Sequence, residues 1–114
     1  MSNTENFLQA NPDLKVVCGV SDGAALGAYQ AFKAAGMTDP DKYLIAGIDA
    51  TDEALKLIDE GSIYQVSVSQ NPAATGKSLV DTAIAVVNKA SYPKDSLFDL
   101  QAVTAENVKD YIAE

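Results

Sequence analysis

Two kinds of hydrophobic pattern alternate along this chain. Short valine- and isoleucine-rich runs suit strands, and longer stretches with apolar residues three and four apart suit helices. Leu14 to Val20 is a compact apolar run followed at once by Ser21-Asp22, and it reads as a buried strand. From Asp22 or Gly23 to Ala35 the chain is alanine-rich, with Leu26, Tyr29 and Phe32 at helical spacing and Gly36 just past the end, so a helix is expected. Gly23, Ala24, Gly27 and Ala28 are small enough to let its first turns lie close against a neighbour.

Tyr43 to Ile48 is the second strand, and it ends on Asp49. Thr51 then offers an N-cap hydroxyl, Asp52 and Glu53 put negative charge in a first helical turn, and Gly61 closes that helix. Ser62 to Ser69 alternates, with Tyr64, Val66 and Val68 on the drier face and Gln65, Ser67 and Ser69 opposite, as in a strand at a sheet edge. Pro72 opens a further helix whose Gly76, Leu79, Val80, Ala83, Ile84 and Val87 form an apolar stripe, stopped by Ala90-Ser91-Tyr92-Pro93. Leu97 to Val103 predicts a short last strand, and Thr104 caps a final helix carrying Val108, Tyr111 and Ile112. Ahead of everything, Glu5 to Ala10 reads as a helical turn or the tail of a helix, closed by Asn11-Pro12.

The order β-α-β-α-β-α-β-α implies an α/β fold, with a mostly parallel sheet of about four strands and right-handed crossovers. Open sheets of this kind bind ligands beyond the carboxyl ends of their strands. Three strands here end on polar tips, Ser21-Asp22, Asp49 and Gln70-Asn71. That edge is the candidate site.

Composition narrows what such a site does. With 114 residues, 47% apolar and 21% charged, the chain suits one globular core, and no apolar run approaches the length of a membrane span. Sixteen acidic against eight basic residues leave a net charge of -8, which gives no basic patch for nucleic acid. There is no histidine and one cysteine, so a zinc ligand set, the usual general base and an intrachain disulfide are all missing. No cofactor or metal is expected, and Cys18, inside an apolar run, reads as core. Met1 to Asn6 has neither the basic nor the apolar region of a secretory signal.

Asn71-Pro72-Ala73-Ala74-Thr75-Gly76-Lys77-Ser78 imitates a phosphate-binding loop but has Asn71 where the first glycine belongs, and Pro72 removes a backbone donor. Gly76 and Lys77 fit better inside the helix, as packing and surface residues. Asp49 has two readings, as helix-start chemistry or as a bidentate acceptor for sugar hydroxyls, and the residues leave both open. Ser21, Asp22 and Asn71 are ordinary caps, whereas Gln70 is not a favoured cap and its amide both donates and accepts. The aromatic residues read as core or rim. No nucleophile, base and oxyanion group recur in a defensible spacing, so neither an enzyme nor a catalytic residue is expected.

Taken together, Asn11-Pro12-Asp13-Leu14-Lys15-Val16-Val17, Ser21-Asp22-Gly23-Ala24-Ala25-Leu26-Gly27-Ala28, Ala46-Gly47-Ile48-Asp49-Ala50-Thr51 and Val68-Ser69-Gln70-Asn71-Pro72 resemble the type I periplasmic sugar-binding proteins. These are the ribose-, galactose- and xylose-type receptors of ABC transporters, and their ligand domain is shared with the lactose-repressor family. The ending, Leu100 to Ile112, is similar too. The resemblance implies that Asp49 and Gln70 bind sugar hydroxyls, that Ser21 stands where the family often has an asparagine, and that Asp22 mainly caps its helix.

The resemblance covers only about the last third of the family's length, which implies a truncated or excised partial C-terminal lobe of a periplasmic-binding-protein-like I fold. Residues 1–70 would supply lobe strands and helices, 71–90 the helix that crosses to the other lobe, and 97–114 the terminal strand and helix. With its usual sheet missing, the helix from Pro72 would fold back on its own sheet or be exchanged with a second copy at Gln70-Asn71-Pro72, making a homodimer. The implied partners are a monosaccharide, bound weakly or not at all, and, in the full-length family, a transporter permease. The implied location is periplasmic or extracytoplasmic, and the lack of a signal sequence leaves a cytoplasmic chain or a fragment open. The alternatives are a non-binding, self-associating remnant and the effector domain of a lactose-repressor-type regulator.

Overall fold

The structure is a computed structural model that describes residues 2–112. Among these residues nine elements follow one another: α1 (Ser2–Ala10), β1 (Val16–Cys18), α2 (Asp22–Ala34), β2 (Leu44–Ile48), α3 (Asp52–Asp59), β3 (Tyr64–Ser69), α4 (Pro72–Val87), β4 (Gln101–Val103) and α5 (Val108–Ile112). The sheet order is β1-β2-β3-β4, with the first three strands parallel and β4 antiparallel to β3. The mostly parallel α/β reading is therefore correct, and Gly36 and Gly61 close α2 and α3 at φ +74° and +67°.

Because β1, β2 and β3 step in one direction across the sheet, right-handed crossovers place α2 and α3 on the same face. The core lies beneath them. Ala25, Ala28 and Phe32 of α2, and Leu55 and Ile58 of α3, cluster with Ile45, Tyr64, Val103 and Val108. The buried side of α2 is its alanine side, so the helix packs close to the strands.

This one-sided covering corrects two expectations about β1. Val16 and Cys18 are exposed, and the cysteine is not a core residue. Among the described residues β1 pairs with β2 alone, so it is an edge strand, and the exposure of Val16 and Cys18 on either side of half-buried Val17 shows that one of its faces is bare, in place of the buried strand expected.

The reading of β3 also changes, because the strand is central and not at the edge. Its register slips by one residue: Ile45 pairs with Tyr64 but Ala46 with Val66, leaving Gln65 as a bulge. The Gln65 amide donates to the backbone oxygens of Pro40 (2.7 Å) and Tyr43 (3.1 Å), fixing the bulge to the loop ahead of β2. An extra residue reverses the alternation beyond it. Hence Tyr64, Ser67 and Ser69 are the buried residues, while Val66 and Val68 are only half-buried.

The helix α4 does not fold back on the sheet, which was the first of the two arrangements expected for it. None of its residues is buried, and Leu79, Val80, Ile84 and Val87 are each more than half exposed. The Cα radius of gyration, 17.9 Å, shows the result. A compact chain of this length would have about 13 Å. The corner before α4 is fixed: Asn71 is left-handed (φ 48°), its side chain accepts from the Ala74 amide, and the Thr75 hydroxyl donates to the Gln70 carbonyl. It sends the helix away from the strands. Gly76, Lys77 and Ser78 lie inside α4, where Lys77 pairs with Asp81 at 2.6 Å and a Cβ on Gly76 would meet nothing within 4 Å. Lys77 is thus a surface residue as expected, whereas Gly76 packs against nothing.

Candidate functional site

The backbone leaving β2 turns through two non-glycine residues with positive φ, Asp49 at 118° and Ala50 at 52°. Such conformations cost on the order of 1–3 kcal/mol each and persist only where the surroundings impose them. Here three successive amides are tied down. Asp49 N–H donates to the Val68 carbonyl (2.9 Å), Ala50 N–H to the Ser67 hydroxyl (2.9 Å) and Thr51 N–H to a carboxylate oxygen of Asp22 (2.8 Å).

Asp22 is fully buried and is the hub of this arrangement. Its Oδ1 accepts from Tyr64 Oη (2.8 Å) and Ser67 Oγ (2.7 Å), and its Oδ2 accepts from the amide and the hydroxyl of Thr51 (2.8 and 2.9 Å). A buried carboxylate needs such partners to fill its lone pairs, and four well-placed donors do so. Asp22 is therefore not the cap of α2 that the sequence suggested, because its carboxylate accepts from β3 and from Thr51 and from no amide of its own helix. The capping group of α2 is Ser21, whose hydroxyl accepts from the Ala24 amide (3.3 Å). Thr51 also departs from expectation: it is the N-cap residue of α3 but makes no side-chain cap bond, its hydroxyl being committed to Asp22.

Gly47 explains the glycine two residues ahead of Asp49. A Cβ there would lie 2.1 Å from Tyr64 Oη and 2.3 Å from Asp22 Oδ1, so only glycine leaves room for the bond between them.

The three predicted site residues all lie at the carboxyl edge of the parallel strands. Asp49 and Gln70 are exposed and meet directly, with Gln70 Nε2 donating to Asp49 Oδ1 at 2.6 Å. Ser21 follows β1 at the same edge, half-buried and engaged as a cap. Asp49 does not start α3, since its carboxylate is turned to Gln70 and Thr51 holds the cap position. Beside Asp49 a cavity of about 480 Å³ runs toward β4 and α5, lined in part by Asp52, Ser69, Asn71, Gln101 and Tyr111.

The signal for Asp22 was present but diffuse. Thr51, Tyr64 and Ser67 each look ordinary alone, and only the fold brings their hydroxyls to one carboxylate.

Burial, and after it the hydrogen bond to Asp22, raise the Tyr64 hydroxyl well above the ordinary tyrosine range. A raised folded-state pKa means that this contribution to stability is complete below the unfolded tyrosine value of about 10 and is lost as pH rises further. Stability is therefore expected to fall above pH ~10, with one proton setting a slope of at most about 1.4 kcal/mol per pH unit. Urea melts across alkaline pH, compared with Tyr64→Phe, measure this component, which should be absent from the variant.

With the geometry in place, comparison with known proteins identifies the chain. The periplasmic binding protein domain family matches residues 1–91. The chain belongs to this family. It is 34% identical over 106 residues to a putative rhizopine-binding protein of Rhizobium meliloti, covering 93% of this chain and 34% of that protein. It is 33% identical over 95 residues to the ribose import binding protein RbsB of Escherichia coli K12, covering 80% of this chain and 31% of that protein. The chain thus spans about a third of the length of these relatives.

Solved structures agree on the architecture. A periplasmic solute-binding protein of an ABC transporter from Actinobacillus succinogenes, with bound D-allose, superposes with a TM-score of 0.87 at 28% identity, over 96% of this chain and 38% of that one. The Caulobacter myo-inositol binding protein bound to myo-inositol gives 0.86 at 27% identity, over 98% of this chain and 38% of that one. The fold is that of part of a periplasmic-binding-protein-like I domain.

Proposed function

We propose that this periplasmic binding protein chain is the C-terminal portion of a sugar receptor of an ABC transporter, offering half of a sugar site through Asp49 and Gln70, with Ser21 at the rim. The observation that carries this reading is the exposed pair of Asp49 carboxylate and Gln70 amide, 2.6 Å apart, at the carboxyl edge of the sheet. A carboxylate accepts from two adjacent hydroxyls, and an amide adds one donor and one acceptor, which is the complement of a polyol. In the free chain the two groups satisfy each other, and an entering sugar replaces that bond.

Relatives named as rhizopine- and ribose-binding proteins, and solved structures holding D-allose and myo-inositol, support a small polyol as the ligand. They also support a periplasmic setting and a transporter permease as the partner of the whole receptor. High affinity requires a ligand enclosed on most sides, and an open edge leaves much of it in water. Affinity in this chain is accordingly weak. The bare face of α4 supports its crossing to another lobe in the whole receptor. For the chain alone it supports self-association or exchange at Gln70-Asn71-Pro72, against which a concentration-independent monomer mass would count.

Titration with D-ribose, D-allose and myo-inositol, followed by backbone and side-chain amide shifts, tests the site. The expected shifts centre on Asp49 and Gln70. Asp49→Ala should weaken binding by roughly tenfold or more, since a hydrogen bond to a charged group contributes about 1.5–3 kcal/mol. Shifts centred elsewhere would remove the assignment.

A further inference from the structure

We propose that Asp22 and Ser67 are positioning residues for ligand recognition: without touching the ligand, they hold the Asp49-Ala50 turn in the conformation that presents the Asp49 carboxylate. The inference rests on the sugar-site reading and adds the element that sets its geometry.

The geometry points inward from Asp49. Asp49 and Ala50 occupy positive φ, 118° and 52°, which neither residue favours. The amides on either side of Ala50's α-carbon have side-chain acceptors, and both acceptors belong to one network: Ser67 Oγ takes the Ala50 N–H at 2.9 Å and Asp22 Oδ2 takes the Thr51 N–H at 2.8 Å. Ser67 accepts from Ala50 while donating to Asp22 Oδ1 at 2.7 Å, so the hydroxyl is oriented and the two clamps act together. Asp22 and Ser67 are both completely buried, whereas Asp49 is exposed. The rigid part of the device is therefore inside the core and the presented group outside it. The Gly47 position, where any side chain would meet Tyr64 Oη or Asp22 Oδ1, shows how closely the strands close around the network.

If these residues act by positioning, removing Ser67 Oγ should release the Ala50 amide and weaken polyol binding together. In Ser67→Ala, hydrogen exchange of the Ala50 amide is expected to accelerate at least tenfold relative to Ile45, and the Gln70 side-chain amide resonances should move as its bond to Asp49 loosens. The apparent Kd for D-ribose, D-allose or myo-inositol, whichever the native chain binds, should rise about tenfold. Ile58→Val, a buried truncation at the far end of α3, serves as the stability control. It should lower the melting temperature and leave affinity unchanged.

Two results would overturn the proposal: unchanged Ala50 exchange in Ser67→Ala, or equal affinity losses in Ser67→Ala and Ile58→Val at matched stability. A native chain that shifts with none of the three polyols would overturn the sugar reading instead. Exchange at Ala50 still decides whether the buried pair holds the turn.

Discussion

Gly47→Ala is expected to abolish the native state or to destabilise it by roughly 3–5 kcal/mol, the range for overpacking combined with breaking a buried polar network. In an ordinary strand the same change is favourable, because glycine is worse than alanine there by about 0.5–1 kcal/mol. The sign is reversed here by contact alone. The new methyl carbon would lie 2.1 Å from the Tyr64 hydroxyl oxygen and 2.3 Å from an Asp22 oxygen, and neither can retreat within a closed core. Adding Tyr64→Phe removes one of the two obstructing atoms and should recover part of the loss, so the two changes are not additive. Urea melts followed by circular dichroism, together with amide resonance dispersion, measure both variants. A Gly47→Ala chain as stable as the parent would show that the strands do not close around this network.

Asp22→Ala is the second large effect. It leaves four donors without their acceptor: Tyr64 Oη, Ser67 Oγ, and the amide and hydroxyl of Thr51. A buried donor left unpaired costs about 1–3 kcal/mol, and although the hydroxyls can turn to other acceptors, the Thr51 amide cannot. A loss of about 4 kcal/mol is expected, a large share of the roughly 5–15 kcal/mol that holds a domain together. Asp22→Asn should fall between Ala and the parent, because its oxygen can still serve Thr51 while its NH₂ faces hydroxyls able to reverse their direction. Tyr64→Phe, which removes one donor and leaves the other three paired, should cost only about 1 kcal/mol. The ordering Ala, then Asn, then Tyr64→Phe by denaturant midpoint checks the hub role. Equal losses for all three would place the stability elsewhere.

Much of the site was legible from local pattern. The strand ending at Asp49, the glycine closures at Gly36 and Gly61, and the capping positions of Ser21 and Asn71 each depend on residues within one turn of the chain. Gln70 stood out because its side chain suits recognition better than capping, and the fold brings it within 2.6 Å of Asp49. The alternation in β3 misled for an identifiable reason: a period of two assigns faces only while the register is unbroken, and the bulge at Gln65 breaks it. Cys18 and Val16 misled because an apolar run signals burial without saying whether one face or two is covered.

By itself, then, the sequence determined the kinds of element, their order, the mostly parallel sheet and the edge where its polar tips gather. Hydrophobic period, helix ends and turn chemistry are local properties, and they suffice for that. Only the tertiary structure decided that α4 stands free, that Ser67 points inward and that Asp22 is a hub and not a cap. The donors to Asp22 lie 29 to 45 residues away along the chain, and no local pattern encodes which distant hydroxyls meet at one carboxylate. Chain crossings and one slipped register fix that meeting, and with it the turn that turns Asp49 outward.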